Sequence, residues 1–406
     1  MSVAHRRPKL GLALAGGGPV GGIYEVGAMA ALDEALTGVD FSQFDIYVGV
    51  SSGAFIASAL ANGLGPGLLA RMLIENNGNE VFDPDMLLHP AFGEYLKRAQ
   101  SVPQLLWGSF KYYLSDPWHL GLLEAFQRLS HAIPAGVFDN AGIDALLRKL
   151  FSAPGRSNDF RELKSRLFLV ATDLDSGESL VFGSAGHDNV AISTAVQASA
   201  ALPGLFPPVL IDGRYYVDGA LIKTLHASVA LQEGADLVIC INPLVPFDSE
   251  LAAKRPKRGR LHHTPSHLIE GGLPVVLSQT FRAIIHSRMR VGMDRYKHQY
   301  KNADVVLFEP TRDDADMFFT NVFSYRSRSR LCEHAYQRTR TELYRRRHEL
   351  APIFARHGLS LDLAILKDHR RSLLAHQRRP DFRATARALD ASLQSLDIWL
   401  QQRRNA

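Results

Sequence analysis

The sequence has little cysteine and no long apolar run. Its 406 residues contain two cysteines, Cys240 and Cys332, which are too few for a disulfide framework and favour a reducing compartment. Neither has a second Cys or a His at zinc-ligand spacing, which argues against a cysteine-based zinc site. No stretch approaches the ~20 apolar residues of a membrane-spanning helix. We therefore expect a cytoplasmic protein that contacts membranes, if at all, as a peripheral protein.

The amino-terminal segment resembles a secretory signal peptide only in part. Basic residues precede an apolar run from Leu10 to Ala15, but this run is shorter than the roughly 7–15 residues of a signal core, and glycines follow it directly. We interpret the run as a first buried strand. The sequence contains no internal repeat and no low-complexity tract, so a solenoid or a disordered chain is not expected.

The charge is unevenly distributed along an otherwise ordinary globular composition of 46% hydrophobic and 21% charged residues. From Tyr325 to the end there are 18 Lys and Arg against 8 Asp and Glu, whereas the preceding 324 residues carry 28 against 33. The length predicts about two domains at roughly 100–200 residues each. A basic carboxyl-terminal region therefore follows a mildly acidic body.

The most informative stretch is Asp45 to Leu60, DIYVGVSSGAFIASAL. A β-branched and aromatic run up to Val50 predicts a buried strand, and the small apolar residues after Gly53 predict a tightly packed helix. Between them, Gly49-Val50-Ser51-Ser52-Gly53 has the G-x-S-x-G spacing of a nucleophile elbow, in which a strained turn exposes one serine. Ser51 is the predicted nucleophile, and Ser52 is expected to begin the helix.

Strands and helices alternate along much of the chain, which predicts an α/β fold with a mostly parallel central sheet. The predicted strands are Leu10–Ala15, Phe44–Val50, Arg166–Thr172, Ser179–Gly183, Arg214–Val217, Ala235–Asn242 and Asp304–Pro310. The predicted helices between them are Ile23–Leu36, Ala191–Ala201, Thr224–Glu233 and Leu273–Tyr300. Residues 65–151 form a proline-broken, aromatic helical insertion that either roofs the site or buries its own small core. After Pro310 we expect helices and no strand.

Two further segments could complete a serine-based site. A serine hydroxyl needs a base to remove its proton and donors to stabilise the resulting oxyanion. The glycine-rich segment from Gly16 to Gly22 follows the first strand and offers backbone amides beside the elbow. In RYYVDGAL, Asp218 stands at a strand end before a turn, where its carboxylate could reach Ser51.

The order of these motifs resembles that of the patatin-like phospholipases, in particular bacterial-type patatin domain proteins. The motifs are GGG-x-x-G from Gly16, G-x-S-x-G around Ser51, ATDLDSG from Ala171, ASAALPGLFPPV from Ala198 and YYVDGAL from Tyr215. The resemblance covers Leu10 to Glu233. It implies a three-layer α/β/α fold and a serine acyl hydrolase that cleaves lipid carboxylic esters through an acyl-enzyme and needs no cofactor.

The resemblance also assigns residue roles. It implies a Ser51–Asp218 dyad that requires no histidine, and an oxyanion hole formed by three successive glycines. The oxyanion-hole residues are Gly16, Gly17 and Gly18, and the remaining motif residues are Gly21, Gly49, Gly53, Gly219 and Ala220. The implied hydrolase domain spans 8–310 with its motif-bearing core at 10–233, and 311–406 forms a basic helical region.

One position departs from the family pattern. Where the glycine loop usually carries Arg or Lys before its last glycine, this sequence has Val20. The change removes a positive charge that would meet a substrate phosphate or an oxyanion. It therefore slightly favours the alternative function, a non-hydrolytic lipid-binding or nucleotide-binding regulator on the same fold.

Other interpretations of the motifs remain open from sequence alone. Gly16-x-Gly18-x-x-Gly21 also matches a dinucleotide-binding fingerprint, with Asp40 or Asp45 as the acid that would bind the ribose. A cofactor fold has no use for the elbow or for the DGA turn, which favours the hydrolase.

Two histidines and one acidic loop also have alternative roles. His187 or His226 could complete a catalytic triad, although their positions favour a surface or capping role. The acidic residues of ATDLDSG and the following Glu178 could bind a metal, but Asp173 and Asp175 are more typical of a hairpin turn.

The basic regions suggest a peripheral membrane contact. The loop 254–263 and the carboxyl-terminal tail carry arginines that could bind anionic lipid, while the apolar stripe of Phe382–Leu400 could instead dock on the protein body. No reading motif accompanies the arginines, so nucleic acid is not an expected partner. The expected partner is a lipid acyl ester, and the sequence does not indicate an oligomeric state.

Overall fold

The computed structural model of the protein describes residues 6–74, 136–254, 267–320 and 325–374. Ten strands lie in these ranges. They are β1 (Leu10–Leu14), β2 (Leu36–Thr37), β3 (Ile46–Val50), β4 (Arg166–Asp173), β5 (Ser179–Phe182), β6 (Val209–Ile211), β7 (Arg214–Asp218), β8 (Leu237–Ile241), β9 (Asp304–Phe308) and β10 (Ser360–Leu361).

Twelve α-helices accompany the strands in the described ranges. They are α1 (Gly18–Ala35), α2 (Ser52–Ala61), α3 (Pro66–Ile74), α4 (Ala141–Phe151), α5 (Ile192–Ser199), α6 (Ala227–Gln232), α7 (Ser249–Ala253), α8 (Gly272–Gln299), α9 (Ala315–Phe319), α10 (Tyr325–Arg345), α11 (Arg347–Arg356) and α12 (Leu363–Lys367). None of these helices combines the length and the apolarity needed to cross a bilayer.

Eight strands form one mixed sheet with the order β6-β7-β4-β3-β1-β8-β9, and β5 pairs with β4 outside this path. The strands β4, β3, β1, β8 and β9 pair in parallel with one another in this order. The pairs β4–β5, β4–β7 and β6–β7 are antiparallel. The expected α/β fold with a mostly parallel sheet is therefore confirmed.

The register of β4 determines which strands share one of its edges. Val170 lies opposite Val50 of β3 and also opposite Val181 of β5, so β3 and β5 occupy opposite edges. Ala171 lies opposite Leu180 of β5 and opposite Asp218 of β7. Strand β7 therefore continues along the edge that β3 occupies, and the carboxyl end of β7 meets the carboxyl end of β3.

Helices cover both faces of the sheet, because alternate residues of a strand point to opposite faces. Side chains of the central strands, such as Val48 and Val170, pack with α6 and α8 in one buried cluster that includes Ala230 and Met289. On the other face α2 contacts β1, β3 and β4, and α1 contacts α2. The three layers confirm the expected arrangement.

Helix α10 packs directly along α1. The contact is close at Gly27, where an added Cβ would lie 2.3 Å from the Cys332 carbonyl oxygen and 2.9 Å from the Ala335 Cβ. Beside this crossing the Tyr336 hydroxyl donates a 2.6 Å hydrogen bond to Glu34. The start of the basic region is therefore joined to the first helix of the body.

The sequence-based element boundaries agree with the structure for most strands, and two differences are informative. Helix α1 begins at Gly18 and not at Ile23, because Pro19 occupies its first turn, where the missing N–H is tolerated. The prediction that no strand follows Pro310 was wrong, because Ser360–Leu361 pairs antiparallel with Leu36–Thr37. A two-residue strand carries no periodic pattern that sequence analysis could detect.

Residues 1–367 form one compact unit, and residues from Asp368 form a second unit. Within the described part of the second unit, the Asp368 carboxylate accepts a hydrogen bond from the Arg370 amide. A domain boundary at Pro310 stays a prediction, since packing within a unit does not establish which pieces fold alone. The aromatic residues 107–126 of the insertion, most of the loop 254–263 and the stripe 382–400 lie outside the described residues.

We predict that Gly27→Ala destabilises the protein by about 1–3 kcal/mol. The new methyl group would meet a backbone carbonyl that cannot rotate away, so α1 and α10 must separate. Urea denaturation followed by circular dichroism measures the change. The matched control is Gly67→Ala in α3, where an added Cβ meets nothing within 4 Å and higher helix propensity is expected to stabilise by up to about 1 kcal/mol. Equal stabilisation in both variants would contradict the close contact.

Candidate active site

Ser51 occupies a strained turn between β3 and α2. Its φ of 54° and ψ of −122° place it among the few non-glycine residues with positive φ, and it is the N-cap of α2. Its backbone N–H donates a 2.9 Å hydrogen bond to the Ser199 hydroxyl, which in turn donates a 2.6 Å bond to the Val170 carbonyl. The strand-turn-helix geometry expected of a nucleophile elbow is present, with Ser51 at its turn.

Both flanking glycines of the elbow are required by close backbone approach. A Cβ on Gly49 would lie 2.5 Å from the Gly53 carbonyl oxygen, and a Cβ on Gly53 would lie 2.6 Å from the carbonyl oxygens of Leu14 and Ala15. Any larger residue would push α2 away from β1. The two glycines therefore hold the turn of Ser51 against the end of the first strand.

Asp218 lies beside Ser51, as the shared edge of β4 requires. The Asp218 carboxylate accepts a 2.8 Å hydrogen bond from the Ala220 amide, and the neighbouring Ser51 hydroxyl, as a hydrogen-bond donor, lowers the pKa of the carboxyl. The residue is only 3% exposed. Burial raises the pKa of Asp218 to about 6, against the opposing effect of these two hydrogen bonds. The carboxyl group is thus a stronger base than an exposed aspartate and is still ionised at neutral pH.

The turn after Asp218 packs against both neighbouring segments. A Cβ on Gly219 would lie 2.3 Å from the Val170 carbonyl oxygen, so only glycine fits there. The Cβ of Ala220 lies 3.0 Å from the point where a Cβ of Gly16 would stand. A larger side chain at either position would separate Asp218 from the glycine turn.

The glycine turn after β1 lies against the elbow. A Cβ on Gly16 would be 3.0 Å from the Ser51 Cβ, and Gly17 and Gly21 both approach the Pro243 ring closely. Gly18 has φ +60° and open space beside it, and as the first residue of α1 it has an amide without an intrahelical partner. Gly16 therefore lies next to Ser51, and the turn that follows it leads into the positive N-terminal end of α1.

The described hydrogen bonds of the two candidate histidines do not include one to Ser51 or Asp218. His226 is buried at the N-terminus of α6, and burial together with Lys223 lowers the pKa of its ring to about 3. Asp218 is not one of the residues that shift the pKa of His226. His187 is exposed in the loop after β5, where its carbonyl accepts from the Gly183 amide. Among the described contacts, the side chain that bonds to Ser51 as a base would is therefore Asp218 and not a histidine.

The acidic run after β4 forms a hairpin turn, as the sequence favoured. The Asp173 carboxylate accepts hydrogen bonds from the Asp175 and Ser176 amides and pairs with Arg214 at 2.7 Å. Strands β4 and β5 then pair antiparallel. The contacts of Asp173 are therefore those of a turn residue and not those of a metal ligand.

The acids that would bind a ribose lie at the wrong edge of the sheet. Asp45 precedes β3, and its carboxylate accepts a 2.8 Å hydrogen bond from the amide of Leu10, the first residue of β1. The glycine turn follows the other end of β1, roughly 15 Å away for a five-residue strand. Asp40 binds its neighbours Ser42 and Gln43. Neither Asp40 nor Asp45 is therefore placed to bind the ribose of a dinucleotide at the glycine turn.

Sequence analysis missed two side chains at this site. The Ser199 hydroxyl accepts a hydrogen bond from the Ser51 amide. In the sequence, only the position of Ser199 in the ASAALPG run indicated a role. Glu25 of α1 is fully buried, and burial raises its pKa well above the usual value, against the opposing effect of the nearby Ala15 backbone. A glutamate inside an apolar helix turn was the available signal.

One carboxylate-histidine cluster lies elsewhere in the described chain. Asp314, Asp316 and His334 could offer three ligand atoms to a metal. His334 Nε2 already contacts the Asp314 carboxylate at 2.8 Å, and Arg338 lies 3.8 Å from the same carboxylate. His334 and Arg338 thus already contact the carboxylate that a metal would need as a ligand.

We predict that Asp218→Asn stabilises the protein at pH 7.5. Because the folded-state pKa is raised, ionisation of Asp218 lowers the free energy of unfolding. This loss is absent below about pH 4, grows between pH 4 and pH 6, and stays constant above pH 6. The amide carries no charge, so the gain should approach about 2–3 kcal/mol at pH 7.5 and vanish near pH 4. Thermal denaturation at both pH values measures this, with Asp175→Asn on the exposed hairpin as control. An equal effect of Asp218→Asn at both pH values would contradict the assignment.

The chain is similar to proteins of several organisms. It is 28% identical over 236 residues to an uncharacterised NTE-family protein of Mycobacterium tuberculosis, covering 57% of this chain and 30% of that protein. It is 25% identical over 221 residues to an uncharacterised protein of Acanthamoeba polyphaga mimivirus, covering 54% of this chain and 60% of that protein. The similarity thus spans less than a third of the mycobacterial protein.

Two solved structures are similar to the chain at low sequence identity. VipD from Legionella pneumophila has 17% identity and a TM-score of 0.36, covering 82% of this chain and 66% of that chain. The type III effector protein ExoU has 15% identity and a TM-score of 0.35, covering 84% and 53%.

The sequence profile of one family matches residues 12–231, more than half of the chain. This range begins in β1 and ends in α6, and it includes the glycine turn, the elbow of Ser51 and the turn after Asp218. The chain belongs to the patatin-like phospholipase family.

Proposed function

We propose that the protein is a serine acyl hydrolase that cleaves the carboxylic ester bonds of lipids with Ser51 and Asp218. The observation that carries this proposal is the position of a strained elbow serine beside a buried carboxylate whose pKa is raised. Family membership supports a lipid ester as the substrate class. A non-hydrolytic regulator would have no need for a strained serine beside a desolvated base.

The first half-reaction would form an acyl-enzyme. Asp218 accepts the Ser51 proton while the Ser51 oxygen attacks the ester carbonyl, and the carbonyl oxygen becomes an oxyanion. The amides of Gly16, Gly17 and Gly18, together with the Ser52 amide at the start of α2, are the proposed donors to this oxyanion. When the intermediate collapses, the C–O bond to the alcohol breaks, and protonated Asp218 gives its proton to the leaving alkoxide.

The second half-reaction would release the acid. Asp218 is again a carboxylate, so it can take a proton from water as that water attacks the acyl-enzyme. Collapse of the second intermediate breaks the bond to Ser51, which recovers its proton from Asp218, and a free carboxylic acid leaves. The cycle needs no cofactor, and the same carboxylate serves both halves.

We predict that Ser51→Ala abolishes hydrolysis of phospholipid and p-nitrophenyl ester substrates and abolishes labelling by a fluorophosphonate probe. Asp218→Asn should lower kcat by roughly 10²–10⁴-fold, the usual contribution of a general base. The matched controls are Ser176→Ala and Asp175→Asn on the exposed hairpin, which should retain activity. Undiminished hydrolysis in Ser51→Ala or Asp218→Asn would end the dyad proposal, and absence of labelling in the wild type would favour the regulator.

The pH dependence offers a separate test. Asp218 accepts a proton only when ionised, so kcat/KM should rise as the pH passes through about 6 and reach a plateau above pH 7. The buried His226, with its pKa near 3, cannot produce a limb at that position. Rates on a neutral p-nitrophenyl ester between pH 4.5 and pH 8 measure the profile, with His187→Gln expected to leave it unchanged. A rate that stays flat down to pH 4.5 would contradict Asp218 as the base.

A further inference from the structure

Arg282 of α8 is a buried cation without an anionic partner among the described residues. Arg282 is only 9% exposed, and its Nε has no hydrogen-bond partner among the described residues. Nη1 donates a long 3.3 Å bond to the Val245 carbonyl, and the guanidinium stands over the Phe318 ring at 5.1 Å. Burial alone lowers its pKa to about 10, and no carboxylate offsets that effect.

Such an arrangement is unusual because buried charges in proteins are almost always paired. An aromatic face and one carbonyl oxygen leave most of the five guanidinium N–H donors unused. The arginine remains charged at neutral pH even with its lowered pKa. A bound anion would supply the missing partner.

Arg282 lines a pocket that opens beside the carboxyl ends of β8 and β9. The pocket encloses a space of about 10 Å³, which is room for one water-sized group. Arg312 lies on its wall with a half-exposed side chain, paired loosely with Asp248 at 3.6 Å. One oxygen of an anion therefore fits beside Arg282, while the rest of the anion would lie at the mouth next to Arg312.

Asp314 is the one acidic residue on the pocket wall. Its carboxylate accepts a hydrogen bond from the Met317 amide and contacts His334 Nε2 at 2.8 Å. Arg338 lies 3.8 Å from it. These partners face the Asp314 charge from α10 and reduce its repulsion of an anion in the pocket.

We propose that Arg282 and Arg312 form a binding site for a phosphate group. A phosphate carries up to two negative charges at neutral pH and presents oxygens that match the fork of an arginine. The site lies at the same edge of the sheet as Ser51. The segment that contacts Gly17 and Gly21 through Pro243 continues to Val245, whose carbonyl binds Arg282.

The phosphate could come from the head group of a lipid or from free phosphate in solution. Neither case requires Ser51 to act as a nucleophile, so the site stands apart from the proposed hydrolysis. In the lipid case, Arg282 and Arg312 would supply the positive charge for the phosphate that Val20 does not provide in the glycine turn.

Isothermal titration with inorganic phosphate at pH 7 tests the site in the full-length protein. Arg282→Met should weaken binding by at least about tenfold, which is the scale of one lost hydrogen bond to a charged group. Arg312→Met, at a half-exposed position where folding is not at risk, should weaken it severalfold. Arg295→Met removes an exposed arginine from the same helix and should leave it unchanged.

A second titration distinguishes the two sources. In Ser51→Ala protein, which cannot consume the lipid by the proposed route, monomeric dihexanoyl-phosphatidylglycerol is compared with dihexanoylglycerol. If the site takes a head group, Arg282→Met and Arg312→Met should weaken binding of the phospholipid and not of the neutral lipid. If it takes free phosphate, only the inorganic titration should respond to these variants.

Two results would overturn the proposal. One is that phosphate binding is absent, or is unaffected in Arg312→Met protein whose thermal denaturation matches that of the wild type. The other is that acetate binds as tightly as phosphate, which would assign the pocket to carboxylates. Because these readouts measure binding, a failure of Ser51 to hydrolyse esters would leave them unchanged.

Discussion

The arrangement of the candidate site depends on how one edge of β4 is shared. Strand β3 pairs with this edge up to Val170, and β7 takes over at Ala171 from the opposite direction. The parallel strand ends at Ser51 and the antiparallel strand ends at Asp218, so backbone hydrogen bonds alone bring residues 167 positions apart into contact. The Ser199 hydroxyl fixes the junction by bonding to both the Ser51 amide and the Val170 carbonyl.

Tight packing around this junction sets the chemistry of the carboxylate. Gly49, Gly53 and Gly219 allow backbone to approach backbone without side chains between them. The resulting exclusion of solvent raises the pKa of Asp218 and gives it useful basicity. The same desolvation lowers the free energy of unfolding whenever Asp218 is ionised. The proposed dyad therefore comes with a less stable fold, as is common at functional sites.

Local patterns in the sequence predicted the parts of the fold that local physics determines. Runs of β-branched residues located the strands of the sheet, and the glycine spacing located the elbow, the glycine turn and Asp218. The start of α1 was missed because Gly18 and Pro19 look like breakers until a helix forms around them. Ser199, Glu25 and Arg282 acquire their importance only from burial among residues distant in sequence, which no local pattern encodes.

The range matched by the family ends at residue 231, before β8 begins. In the folded protein β8 pairs with all five residues of β1, and β9 pairs with β8. A protein shortened to the matched range would turn β1 into an edge strand with unpaired backbone groups, which invites association with other chains. The glycine turn directly follows β1. Strands β8 and β9, which lie beyond the range matched by the family, therefore hold β1 and the amides of this turn in position.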